Sequence, residues 1–176
     1  MRNLLLGLGA LLALTSSPAS ASSFYRLDLP EMMTETSDVV HVKVLRVSGA
    51  WSEDGGMVWT TAELKVVHSF LGEWDAGDVI LAREAGGTVG DTTVTAIGFP
   101  DFRVGDELVI HLGAWEMRGM RVLGGPQGFY RVARTASGGA TLAAGPTQAH
   151  PGPTGDVPGP LVGVALSNLA TLLGRP

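Results

Sequence analysis

Cysteine is absent from all 176 residues. That excludes disulfides, thiol chemistry, cysteine-ligated zinc and lipoprotein acylation. Missing too are the short signatures of hydrolysis and nucleotide binding: there is no Gly-x-Ser-x-Gly elbow, no HExxH helix and no glycine loop followed by Lys-Ser or Lys-Thr. Paired acids occur at Glu53-Asp54 and Asp106-Glu107, both in turn-like contexts where solvation accounts for them. Nothing calls for a catalytic reading. Positive charge is scarce as well, with 12 Lys and Arg against 17 Asp and Glu. A chain of that balance lacks the cations that displace counterions from phosphate backbones, so no nucleic-acid partner is expected. The same deficit argues against acidic lipid surfaces.

Long apolar runs are confined to the N-terminus. Met1-Arg2-Asn3 is a short basic start, Leu4 to Leu14 is an apolar stretch, and Pro18-Ala19-Ser20-Ala21 presents small residues for a signal peptidase. Eleven residues are too few to cross a hydrocarbon core of ~30 Å, so no transmembrane span is expected in the mature chain. Cleavage after Ala21 leaves 155 of the 176 residues, enough for one domain with its own core. An exported, cysteine-free domain must rely on core burial, which places it in a bacterial periplasm or outside the cell.

What is present is a succession of short strands. Asp28-Leu29-Pro30-Glu31 has the form of a helix start with a capping box, and the helix is expected to run to about Thr36 as a plug over a barrel end. Val40, Val42 and Val44 share one face of a strand from Val39 to Val47, with His41, Lys43 and Leu45 on the other. Asp54-Gly55 signals a hairpin into a second strand, Met57 to His68, in which Val58, Thr60, Ala62, Leu64 and Val66 face inward. Phe70 to Trp74 is expected to break the pairing. The stretch from Gly77 to Leu112 is the most informative: a strand at Val79 to Ala82, a glycine loop, a short strand, the turn Val104-Gly105-Asp106, and a strand carrying Leu108, Ile110 and Leu112. Further strands follow at Met120 to Leu123, Gly128 to Arg134 and Ala140 to Ala143.

Strands at roughly ten-residue spacing, separated by turn residues, predict a mainly β fold, a small barrel or sandwich. The barrel domain is expected over residues 22–144. Residues 145–160 form a Pro/Gly linker with no means of packing. From 161 to 176 the spacing of Val162, Ala165, Leu166, Leu169, Leu172 and Leu173 predicts a short amphipathic helix docked on the barrel, with a surface tether as the alternative.

A family resemblance rests on particular residues. Ser37 to Val44 is similar to the opening strand of netrin-like and tissue-inhibitor-of-metalloproteinase-like domains, and Phe102 to Ile110 resembles the "F-x-x-G-x-x-Y-L-V" strand that follows the glycine loop there. Phe70-Leu71-Gly72 and Gly77-Asp78-Val79-Ile80 match the order between them. Trp51 to Gly56, Arg83 to Gly90 and Gln127 to Val132 resemble a group of uncharacterised exported bacterial proteins. The likeness covers about Leu29 to Val132. It implies an OB-like five-stranded antiparallel barrel, closed or partly open, a scaffold for binding ligands along one sheet face, to which the residues themselves add the short N-terminal and C-terminal helices. Protease inhibition does not carry over, because the animal inhibitors chelate zinc through an N-terminal cysteine that this chain lacks.

Three groups of residues stand out as candidate contacts. His41 and His111 lie on outward faces of strands that could be neighbours, where two imidazoles could bind Zn²⁺ or Cu²⁺; His68 and His150 supply no evident third ligand. Gly86-Gly87-Thr88-Val89-Gly90 could cradle an anion through backbone N–H groups, or else provide a bulge or tight loop. Trp51, Trp74 and Trp115 fall in or beside loops, where they either anchor a partner or fold back as barrel lids. The expected function is an exported, non-catalytic binding module for a protein or cell-envelope component, engaged through the rim around Trp51 and Gly86 to Gly90. No cofactor is expected. Alternatives are a histidine-dependent metal-binding protein and a surface component tethered by its C-terminal helix.

Overall fold

The computed structural model describes residues 25–114, 119–148 and 158–174. The expected leader and its expected cleavage site, Trp115 and His150 lie outside the described residues. In chain order the elements are α1 (Leu29–Glu35), β1 (Asp38–Trp51), β2 (Val58–Leu71), β3 (Val79–Ala85), β4 (Gly87–Val89), β5 (Thr92–Val94), β6 (Glu107–Ala114), β7 (Met120–Val122), β8 (Phe129–Arg134), β9 (Ala140–Ala144) and α2 (Leu169–Leu172).

β1, β2, β3, β7 and β6 close into a five-stranded barrel, because β6 pairs with β7 on one edge and with β1 on the other. All neighbours are antiparallel except β3 and β7, which meet in parallel through one registered pair, Ala82 opposite Met120. That ring order is the expected OB-like barrel. β8 continues along the β7 edge of β6, and β9 pairs with β8.

The apolar residues sort into two cores, one inside the barrel and one against its outer wall. Val40, Val42, Leu64, Val66, Ile80, Leu108, Ile110 and Leu112 fill the interior. Val39 and Val109, on the opposite faces of the same strands, pack outward against Tyr130, Val132, Leu142, Leu161 and Leu169. The first part of β1 and most of β6 are therefore buried on both faces, where the alternation suggested one wet side. Burying such a side chain stabilises by roughly 1.5–3 kcal/mol, so this shared wall carries apolar stabilisation twice.

Asp28 and Glu31 form the capping box, Asp28 Oδ1 accepting from Glu31 N at 2.8 Å and Glu31 Oε2 from Asp28 N at 2.9 Å. Leu29 and Met33 then pack on the outer core. α1 thus covers the barrel's side wall and does not plug its end.

Bulges in the β1–β2 ladder decide which side chains share a face. Val44 pairs with Leu64 but Arg46 with Glu63, leaving Leu45 extra; His41 pairs with His68 but Val42 with Val66, leaving Val67 extra. One extra residue reverses the parity of everything beyond it. Past Leu45 the inward positions of β1 become Val47, Gly49 and Trp51, opposite Ala62, Thr60 and Val58. Past Val67, His68 moves to the outer face of β2, and Phe70 joins the outer core. A third shift leaves Phe70 itself extra, between Ser69 opposite Val40 and Leu71 opposite Val39, so the ladder is interrupted at Phe70 but does not end there.

The C-terminal segment departs most from the sequence expectation. Gly163 adopts φ +87°, a conformation that favours glycine, and interrupts the helical run. Leu142 N donates to Val164 O at 2.9 Å and Gly163 N to Leu142 O at 2.7 Å, so this stretch is a turn hydrogen-bonded to the free edge of β9. Only Leu169–Leu172 is α-helical. Leu161 and Leu169 are buried, while Val162 and Leu172 are exposed. The residues expected as an unpacked linker are, where described, packed. Gln148 donates through Nε2 to Ala85 O at 2.7 Å and accepts from Ala96 N at 2.8 Å, and Thr147 bridges to Pro100.

Candidate functional site

Among the described residues, one open cleft lies at the β1–β2 hairpin end of the barrel and another over its outer wall. The first, of about 500 Å³, lies between β1, the β4–β5 hairpin and the segment at Pro100–Phe102. Val47, Gly49 and Thr60 form its floor, the face that the Leu45 bulge turned inward. At Gly49 a side chain would collide with the Thr88 backbone carbonyl, so only glycine lets β4 approach this closely. The walls mix the hydroxyls of Ser48, Thr88, Thr93 and Thr95 with the apolar side chains of Val94, Pro100 and Phe102, and Thr88 and Thr93 are joined Oγ1 to Oγ1 at 2.9 Å. Its one ionisable lining group is Asp101, which Arg103 holds through Nε at 3.1 Å and Nη2 at 2.8 Å.

Trp51 is the next residue beyond Gly49 on that face, and it is 43 % exposed. Gly86, Gly87 and Gly90 sit at the same end, but not as an open loop. Gly86 N donates to Val58 O at 2.8 Å, and Gly87–Val89 pair with Thr92–Val94 across a turn containing Gly90. The N–H of Gly86 is thus already engaged, and the run works as hairpin backbone. Trp74 lies at the opposite end of β2, half-buried against the barrel interior, in the lid-like position. The structure brings Trp51 and the glycines together and leaves Trp74 apart from them.

The second cleft, of about 520 Å³, is bounded by His41 and His68 on the wall, Phe70 beside them, the turn at Gly138–Ala140, and Leu166 and Ala170 of the C-terminal segment. The two imidazoles belong to directly opposed residues. His68 stacks edge-on against Phe70 with centroids 4.6 Å apart. His41 Nε2 lies 2.7 Å from Glu107 Oε1, and Arg134 donates to both carboxylate oxygens, through Nε to Oε2 at 3.1 Å and through Nη2 to Oε1. Burial pulls the His41 imidazole below its ordinary value against the opposing pull of Glu107. Burial acts to raise the Glu107 carboxyl, but the hydrogen bonds from Arg134 and His41 outweigh it and hold it low. The pair therefore rests as a neutral imidazole donating to an ionised carboxylate.

His111 lies on the same face as His41 but one diagonal step away, since His111 pairs with Val39 and His41 with Val109. It is fully buried, its Nδ1 3.3 Å from Thr36 Oγ1 and its Nε2 without a partner. Burial alone lowers it to about 4. His111 is thus enclosed by protein, while His41, itself buried, borders the open cleft. Among the described residues no group of three or more His, Asp or Glu side chains is arranged to hold a metal ion.

Three residues escaped the sequence reading. His68 needed the Val67 bulge, which has no clear mark in the sequence. Glu107 looked like a turn residue, yet it is the first residue of β6. Glu84 continues the inward series Ile80, Ala82, Glu84, and that period-two signal was available. Its carboxylate accepts from Val122 N at 2.6 Å beside the single-pair join of β3 and β7, and burial pushes it up to about 7.

The fold is a closed five-stranded OB-like barrel with open clefts at its hairpin end and over its outer wall. No family model, curated protein or solved structure matches this chain.

Proposed function

We propose that the chain is an exported, non-catalytic binding module that takes a neutral, hydroxyl-rich envelope ligand, a glycan, in the cleft beside Trp51. The observation that carries this reading is the cleft's lining: threonine and serine hydroxyls, a single carboxylate already neutralised by Arg103, and an exposed indole on the same face. Hydroxyls and a lone acid satisfy polyhydroxyl ligands by hydrogen bonding, and an aromatic face packs against the apolar face of a sugar ring. The absence of lysine and arginine from that lining argues against phosphate-rich ligands. The alternative of a C-terminal tether draws no support from a segment whose Leu161 and Leu169 are buried at home.

The test is titration of the processed chain with neutral N-acetylated oligosaccharides derived from bacterial wall, followed by tryptophan fluorescence. Saturable binding that weakens at least ~10-fold in Trp51→Ala and stays unchanged in Trp74→Phe is the expected result. A parent chain that ignores these oligosaccharides, or a Trp51→Ala variant that binds as the parent does, would refute it.

A further inference from the structure

The outer-wall cleft carries a separate inference. His41 and His68 face each other across the β1–β2 ladder, a geometry that places Cβ atoms about 4.5–5.5 Å apart. Two imidazole nitrogens bound to one ion at ~2.0–2.1 Å each need to lie only ~3 Å from one another, a separation within the span of two side chains rooted on opposed residues.

The hydrogen bonding of His41 is the second observation. Glu107 is clamped by Arg134 and accepts from His41 Nε2, so that nitrogen carries the proton and Nδ1 keeps the lone pair. Among the described residues Nδ1 has no hydrogen-bond partner. A carboxylate that fixes the tautomer of one imidazole nitrogen and frees the other is the usual outer partner of a metal-ligating histidine. His68 is exposed, with no hydrogen bond of its own and its ring held only by Phe70. Both residues border the same cleft, which leaves room for solvent or a further ligand on the open side.

We propose that His41 and His68, with Glu107 as the residue that orients His41, form a two-imidazole site for a divalent transition metal, Cu²⁺ before Zn²⁺ or Ni²⁺. Imidazole suits all three ions, and for equal ligands Cu²⁺ binds most strongly. With two protein ligands the remaining positions belong to solvent or to a donor from outside, so the ion is exchangeable and does not hold the fold together. The pair replaces the expected one of His41 with His111, whose ring is enclosed beneath α1 and Tyr130.

The experiment is titration of the tag-free processed chain with Cu²⁺ by calorimetry, with electron paramagnetic resonance at one equivalent. The expected result is a single saturable site whose spectrum shows coupling to two nitrogens. His68→Ala, a change at an exposed side chain, should weaken it at least ~10-fold and remove one coupled nitrogen. Glu107→Gln should weaken it by ~10-fold, the lower end for outer-partner losses. His111→Gln and His150→Ala should leave it intact. A His68→Ala variant with the parent's affinity and spectrum, or a parent with no saturable Cu²⁺ site, would overturn the proposal.

Discussion

Glu84 and His111 are buried titratable groups of opposite sense, and each ties stability to pH. Glu84 has its carboxyl raised to about 7 by burial, above an ordinary value of 4.5. Its contribution is complete below about 4.5 and is lost as pH rises through about 7. His111 is lowered to about 4 from 6.5, so its contribution is complete above 6.5 and is lost as pH falls toward 4. Each shift corresponds to about 3 kcal/mol at full extent. Between pH 4.5 and 6.5 the two offset each other, and the parent's stability should be nearly flat there. Glu84→Gln, which keeps an acceptor for Val122 N, should unmask a decline of up to ~3 kcal/mol on acidification. His111→Gln should unmask a gain of similar size over pH 7 to 4.5. Urea unfolding at four pH values checks both, and parallel profiles for all three proteins would sink the assignment. Glu84 was missed as a solvated strand end, although its place two residues after Ala82 carried the inward signal. His111 was legible as an outward strand residue, but its burial was not, because nothing local shows that a second core covers that wall.

The C-terminal segment shows where periodicity misleads at the scale of an element. Val162, Ala165, Leu166, Leu169, Leu172 and Leu173 fit a helical stripe, yet Gly163 at positive φ makes the first half a turn that hydrogen-bonds to Leu142 and bridges to Thr141 of β9. The apolar spacing survives in part, since Leu161 and Leu169 are fully buried while Leu172 points to solvent. Leu169→Ala should therefore cost about 2–5 kcal/mol, and Leu172→Ala less than about 0.5 kcal/mol. Equal effects in chemical denaturation would return the segment to the simple amphipathic helix. Strand positions in the barrel were far easier to place, since turns at Asp54-Gly55 and Val104-Gly105 bracket alternating runs. What alternation could not reveal was the pair of bulges at Leu45 and Val67, which assign Trp51 to one cleft and His68 to the other.

For the whole molecule, the shared wall of β1 and β6 joins the barrel interior to the outer core. Neither core keeps its boundary if those strands part, so the described chain should unfold in one transition. Hydrogen exchange of Val40, Val42, Leu108 and Ile110 should report that same global free energy, whereas amides of the β4–β5 hairpin should exchange faster. Exchange of wall amides well ahead of global unfolding would disprove the coupling. The candidate rim around Trp51 was legible because exposed tryptophan and glycine stand out in composition. The histidine cleft was not, since its parts come from residues 41, 68, 107 and 134, and only the closed ladder assembles them.

The wall also sets an order of events during synthesis. Its two strands lie about 70 residues apart, and the outer side is not sealed until Leu169 arrives. A ribosome must therefore deliver the chain as far as Phe129 before the barrel interior can fill, and as far as Leu169 before the outer compartment can shut.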